Sequence, residues 1–312
     1  MSLPQKVTVS EVGPRDGLQI EKTMLPAADK LRLIEALADA GLTRIEATGF
    51  VHPKVIPQFA DASEVAEALP RRPSVRYAAF IPNRRGAERA VAAGVDDLKC
   101  GVAASDTFNR LNVRMDTATG MRSLEEIAEV AAGTPSRVVG VVATAFGCPY
   151  EGAVRFEEVD RLFTHLVGLG TDLIYLADTT GMADPSAVKD RVTRLAERHP
   201  DTRVGLHLHN TRGLGLANAL AGLECGVTDF EGSIGGLGGC PFAPRAVGNI
   251  CTEDFVHMCH RMGIETGLDL DRLLDAARLA QDLLGRNLPG MVLKAGPADA
   301  LHDPEGTREK VD

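Results

Sequence analysis

The chain has 312 residues, 44% hydrophobic and 25% charged, the proportions of a globular protein with room for a large core. Its formal net charge is −9, the acidic residues are dispersed and no basic stripe occurs, so a nucleic-acid partner is excluded. No apolar run reaches the length of a membrane span.

Cys100, Cys148, Cys225, Cys240, Cys251 and Cys259 form no CxxC pair. That argues against a zinc ribbon and for free thiols in a reducing, cytoplasmic setting. In chain order, short apolar strands alternate with amphipathic helices. Residues 7–11 read as the first strand, closed by Gly13-Pro14-Arg15-Asp16-Gly17. Residues 26–40 read as a helix with Leu31, Ile34, Leu37 and Ala38 on one face and Gly41 as its stop. Further strands are read at 44–48, 75–80, 97–102, 137–144, 172–177, 203–209 and 229–234. Helices separate them at 60–69, 86–93, 123–132, 157–169, 185–198 and 215–225.

Eight such units specify an α/β chain folded as a TIM (β/α)8 barrel. The doubly wound sheet competes for this pattern, but nothing here resembles its GxGxxG turn. Residues 252–284 continue as a helical C-terminal extension carrying Leu268, Leu270, Leu273 and Leu274. The expected organisation is one catalytic barrel over residues 1–284, of the pyruvate-carboxyltransferase-like kind, and a polar tail over 285–312, loose from Pro297 onward.

The seventh strand ends in His207-Leu208-His209. Side chains two apart in a strand share a face, so the two imidazoles project together while Leu206 and Leu208 face the other way. A pair so placed, followed by Asn210, Thr211 and a glycine, suits one divalent cation better than two core histidines. In a barrel, chemistry gathers at the C-terminal strand ends. That rule brings Arg15 and Asp16 (strand one), Glu46 (strand two), Asp178 and Thr179 (strand six), His207 and His209 (strand seven) and Asn249 (after strand eight) to one mouth. An Asp oxygen, two His nitrogens and an amide oxygen make a mixed site suited to Mg²⁺ or Mn²⁺. Each residue also has a plainer use: Asp16 as a turn cap, Arg15–Glu46 as an ion pair, Asp178 with Thr179 as an N-cap cluster. The run from Gly235 to Gly239 lacks the Lys-Ser/Thr of a phosphate loop. It carries Cys240, a thiol expected to move protons beside the cation.

Glu11-Val-Gly-Pro-Arg-Asp-Gly-Leu-Gln19, Cys148-Pro-Tyr-Glu-Gly152, His207-x-His209, Gly236-Leu-Gly-Gly-Cys-Pro241, Gly248-Asn249 and Thr252-Glu-Asp254 together resemble the 3-hydroxy-3-methylglutaryl-CoA lyase family, over about residues 7–284. The resemblance implies a divalent-metal-dependent cleavage of a tertiary 3-hydroxyacyl-CoA to acetoacetate and acetyl-CoA. It implies that Asp16, His207, His209 and Asn249 hold Mg²⁺ or Mn²⁺. Arg15 would cover the thioester oxygen, and Glu46 would orient Arg15 or a metal-bound water. Cys240 would protonate the acetyl-CoA carbanion, and Asp178 matches a further acidic position. Arg15, Gln19 and Arg212 are the expected substrate contacts. A homo-oligomer, paired through outer helices, is expected.

The departures from the family pattern are Ile20, Gly49, the 112–120 stretch and Asn210-Thr211-Arg212. Arg212, where it faces the mouth, is expected to meet a second carboxylate or a differently shaped acyl tail; its plainer use is as a side chain pointing to solvent. Three alternatives follow: a lyase for a related 3-hydroxyacyl-CoA such as citramalyl-CoA, a synthase condensing acetyl-CoA with a 2-oxo acid, or a metal- or CoA-binding protein without activity.

Overall fold

The computed structural model describes residues 3–239 and 247–301. Eight parallel strands close into a barrel in sequence order: β1 (Thr8–Glu11), β2 (Arg44–Gly49), β3 (Arg76–Phe80), β4 (Asp97–Ala103), β5 (Arg137–Ala143), β6 (Leu173–Asp178), β7 (Arg203–Leu208) and β8 (Asp229–Gly232). Closure runs between β1 and β8, with Thr8 opposite Asp229 and Glu11 opposite Gly232. Outside lie α1 (Ala27–Asp39), α2 (Ala62–Glu67), α3 (Arg84–Ala92), α4 (Asp106–Asn112), α5 (Thr117–Ala131), α6 (Phe156–Gly168), α7 (Pro185–Arg198) and α8 (Gly215–Glu224). After the barrel come α9 (Thr252–Arg261), α10 (Leu270–Leu284) and α11 (Met291–Ala295).

The strands read as near-continuous apolar runs because both faces are covered. Alternate residues point out to the helices: on β4, Leu98, Cys100 and Val102 are buried there. Leu206 faces α8 so closely that a Cβ on Gly222 would meet its Cδ1 at 2.3 Å. At the N-terminal end, Arg44 and Arg203 bind Asp229 while Arg76 and Arg137 bind Asp97, closing the barrel floor with ion pairs.

The helical extension expected at 252–284 consists of two helices, because Gly263 and Gly267 adopt left-handed φ of 72° and 74° and Asp269 caps a new start by accepting from Arg272 N. Two expectations about elements are corrected. The helix expected at 123–132 begins at Thr117, capped by Asp116, and the short α4 precedes it. Residues 285–295 are not a polar tail: they contain α11, and Leu288 and Val292 are buried. Asp254, one of the motif residues, accepts from the Met291 and Val292 amides and so ties α11 to α9.

Candidate metal centre and active-site cavity

Beyond β1 the chain turns so tightly that the amides of Arg15, Asp16 and Gly17 all reach the Val12 carbonyl, at 3.1, 2.7 and 3.2 Å. The turn must pack against residue 237: a Cβ on Gly17 would meet Leu237 Cβ at 2.8 Å. It directs Arg15 and Asp16 into the mouth of the barrel. The end of β7 supplies His207 and His209, and residues 248–250 run beside that end, Asn210 N donating to Gly248 O and Ile250 N to Leu208 O. Asn249 is thereby set against Asp16, its Nδ2 2.8 Å from Asp16 Oδ2. Gly238 lies over this contact with φ 115°, and a Cβ there would stand 2.6 Å from Asn249 Nδ2.

Asp16, His207 and His209 each offer a ligand atom, all within 4.8 Å of one another, and all three residues are buried. His207 Nδ1 faces Glu231 Oε2 at 2.8 Å and His209 Nδ1 faces the Val247 carbonyl at 3.1 Å. Both acceptors require an N–H, so in each neutral ring the proton is on Nδ1 and the lone pair on Nε2. The two Nε2 atoms stand 3.2 Å apart. Two lone pairs at that distance repel unless a cation lies between them. Burial, then the neighbouring His207, pulls His209 down to about 4, which keeps its ring neutral for a metal. Burial alone would raise Asp16, but Arg15, both histidines and the Asn249 amide outweigh it and hold the carboxyl well below the usual range. Asn249 Oδ1 is buried without a hydrogen-bond partner and is the fourth donor of the set, an oxygen in want of a partner. This donor set fits a divalent cation with mixed nitrogen and oxygen ligands.

The same mouth contains a cavity of about 290 Å³ whose wall includes Arg15, Asp16, Gln19, His207 and His209. Arg15 is fixed from several sides. Its Nε donates to Glu46 Oε1 and its Nη1 to Asp16 Oδ1 at 2.7 Å and to Gln19 Oε1 at 3.4 Å. Its guanidinium lies 4.8 Å from the Phe80 ring centre. Thr179 is also on the wall, and its oxygen accepts from Thr144 N at 3.0 Å. That leaves its hydroxyl proton for an acceptor in the cavity. Thr144 is buried with φ 50°, a strained conformation for a β-branched residue at a strand end.

Four expected residues among those described are not on the cavity wall: Glu46 and Asn249 stand behind it, bonded to Arg15 and Asp16, while Asp178 and Arg212 bond to the 178–183 turn. Asp178 Oδ1 accepts from the Met182 and Ala183 amides, capping the turn into α7, while Oδ2 is buried and unpartnered. Burial raises its carboxyl to about 6. Arg212 is exposed, and its Nη1 donates to the carbonyls of Thr180 and Gly181, at 3.0 and 2.7 Å, on that same turn. Cys240 lies outside the described residues; Gly239, before it, is on the cavity wall.

Lys99 and Glu231 are on the wall too, and motif reading passes them over. Their signal is a charged residue within an apolar barrel strand, which appears only once the strands are known to be buried on both faces.

A family model described as HMGL-like matches residues 6–280. The chain belongs to the HMGL-like family. It is 42% identical to a hydroxymethylglutaryl-CoA lyase of Bacillus subtilis, over 94% of this chain and 98% of the relative. It is 44% identical to the (R)-citramalyl-CoA lyase of Chloroflexus aurantiacus, over 94% and 96%. A solved structure of an HMG-CoA lyase from Acinetobacter baumannii, in complex with coenzyme A and 3-methylmalate, superposes with a TM-score of 0.93 at 46% identity, covering 97% and 99% of the two chains. As a member of the HMGL-like family the chain has the barrel read from its sequence. Among the described residues no helix is long and apolar enough to cross a membrane.

Proposed function

We propose that this chain is a divalent-metal-dependent carbon–carbon lyase that cleaves 3-hydroxy-3-methylglutaryl-CoA to acetoacetate and acetyl-CoA in the cytoplasm, as a homo-oligomer of single-domain subunits. The observation that carries the reading is the pair of facing Nε2 lone pairs beside Asp16, in one cavity with a buried and immobilised Arg15.

Asp16, His207, His209 and Asn249 are the residues that would hold the cation, Mg²⁺ or Mn²⁺. When bound, such a cation lowers the pKa of a substrate hydroxyl and polarises a carbonyl oxygen. Arg15 supplies the charge for the other half of the reaction. Breaking the C2–C3 bond leaves electrons on the thioester side, and a fixed guanidinium stabilises the enolate oxygen that develops there. Glu46 and Asp16 hold that guanidinium through hydrogen bonds, so little reorganisation is needed. Gln19 extends the same edge of the site toward substrate. Cys240, read from the Gly-Gly-Cys-Pro loop, is the acid for the acetyl carbanion. Asp178 acts through the 178–183 turn it caps.

Charge supports an acyl group with a free carboxylate. Arg15 and Lys99 stand against Asp16, Glu46 and Glu231, so with neutral imidazoles the buried cluster is one negative charge in excess. A divalent cation turns this into one positive charge, matched by a single substrate carboxylate. A lyase for citramalyl-CoA is the second reading. It is favoured by the 44% identity to such an enzyme over 94% of this chain.

The test is product formation from 3-hydroxy-3-methylglutaryl-CoA with Mg²⁺ or Mn²⁺ and a reducing thiol, with and without EDTA. Acetoacetate released only with metal is the expected result. Cleavage of citramalyl-CoA alone would establish the second reading. Condensation of acetyl-CoA with a 2-oxo acid, without cleavage, would overturn both.

A further inference from the structure

We propose that Lys99 is a positioning residue that ties the arginine side of the site to the histidine side across the barrel interior. Lys99 sits mid-strand on β4 and points inward, where a lysine is rarely buried without partners. Its Nζ is 2.7 Å from Glu46 Oε2 and 2.6 Å from Glu231 Oε2, and 5.5 Å from the centre of the Tyr175 ring. Glu46 is on β2 and Glu231 on β8; neither strand neighbours β4, so the side chain spans the barrel.

Each carboxylate passes the connection on. Glu46 receives Lys99 on one oxygen and Arg15 Nε on the other. Glu231 Oε2 receives both Lys99 and His207 Nδ1. The result is one continuous line, Arg15–Glu46–Lys99–Glu231–His207, whose two ends are on the cavity wall. Among the described residues, Lys99 is the cation hydrogen-bonded to both carboxylates. Its removal would leave two buried anions facing each other. They would then move apart or take up a proton, and either change shifts the partner of Arg15 and the partner of His207 together. The inference rests on the roles given above to Arg15 and His207. Lys99 is itself on the cavity wall, but both of its hydrogen bonds go to carboxylates, so it acts on substrate and cation through the groups it holds.

The experiment compares Lys99→Met with Lys30→Met. Lys30 is an equally buried lysine, paired with Asp61 and the Gln58 carbonyl outside the cavity, and reports the general effect of losing a buried lysine. Mn²⁺ affinity is measured by calorimetry without substrate, kcat and KM at saturating metal, and Tm for both. Lys99→Met is expected to weaken Mn²⁺ about 10-fold, the lower end of the 10- to 100-fold usual for losing the direct partner of a metal-bound histidine, since Lys99 acts one bond further out through Glu231, and to lower kcat more than it changes KM. Lys30→Met is expected to lower Tm and leave Mn²⁺ affinity within twofold. If Lys99→Met does not fold, Lys99→Gln, which retains an N–H donor without the charge, is read in the same way. A folded variant at position 99 whose Mn²⁺ affinity and kcat both stay within twofold of the parent protein overturns the proposal. The metal measurement needs no substrate. A parent protein that binds Mn²⁺ but cleaves nothing therefore retires the lyase reading and leaves the role of Lys99 to be decided by affinity.

Discussion

The Nε2 atoms of His207 and His209 face each other at 3.2 Å with their Nδ1 protons turned away, one to Glu231 and one to the Val247 carbonyl. The fold holds these rings in an arrangement that is unfavourable without a positive charge between them. Binding a cation should therefore stabilise the protein as well as activate it. Mn²⁺ at about 100 times its Kd is expected to add about 2.7 kcal/mol, visible as a rise in Tm that EDTA reverses. His209→Ala should remove most of that rise. A Tm indifferent to Mn²⁺ and EDTA would remove the histidine pair from the ligand set.

Arg15 is held by Glu46, Asp16 and Gln19, so its contribution lies in being fixed before the reaction starts. Arg15→Gln is expected to lower kcat about 10²- to 10³-fold, the usual effect of losing a donor to a developing oxyanion. Mn²⁺ affinity should change much less. Steady-state kinetics beside calorimetry separates the two. A variant that loses metal and keeps kcat at saturating Mn²⁺ would make Arg15 a support for Asp16 rather than a clamp on the thioester.

Barrel and mouth were legible because their signals are local. Apolar runs alternating with helical periodicity specify β1 to β8, and the rule that strand ends carry chemistry places Arg15, Asp16, His207 and His209 together. Lys99 and Glu231 were not legible, since their partners lie on strands far apart in sequence and distance across the barrel has no sequence signature. Arg212 was open between mouth and solvent for a related reason: its place after His209 sets it near the mouth, while its hydrogen bonds to the Thr180 and Gly181 carbonyls join residues 32 and 31 positions apart. Asp178 followed its plainer reading: two amides on one oxygen make it a turn cap first.

Arg212→Ala tests that assignment. The guanidinium satisfies two backbone carbonyls of the turn that leads into α7, at the surface. Its loss is expected to destabilise the protein by about 1 kcal/mol, the net worth of an ordinary hydrogen bond. KM for the acyl-CoA should stay within about twofold. A tenfold rise in KM with an unchanged Tm would return Arg212 to substrate recognition.

The root of the glycine loop predicts how stability changes with pH. Glu11 accepts from the Gly13 and Ile234 amides and from Thr252, and Glu253 accepts from the Gly235 amide. Burial raises Glu11 from 4.5 to about 8 and Glu253 from 4.5 to about 7, against the pull of those donors. Below 4.5 the folded and unfolded chains both hold these protons. Between 4.5 and the raised values only the folded protein keeps them, so rising pH favours unfolding. His209, held at about 4, works in the opposite direction, but its effect ends near its unfolded value of 6.5. The window from pH 6.5 to 8 therefore belongs mainly to the two buried glutamates. The urea midpoint of the metal-free protein is expected to fall across it. Glu11→Gln should flatten the fall, most clearly from pH 7 to 8, where Glu253 has already released its proton. A midpoint that stays level or rises from pH 6.5 to 8 would mean that the three donors keep Glu11 ionised in the folded protein, and the loop would then be anchored on a carboxylate instead of a carboxylic acid.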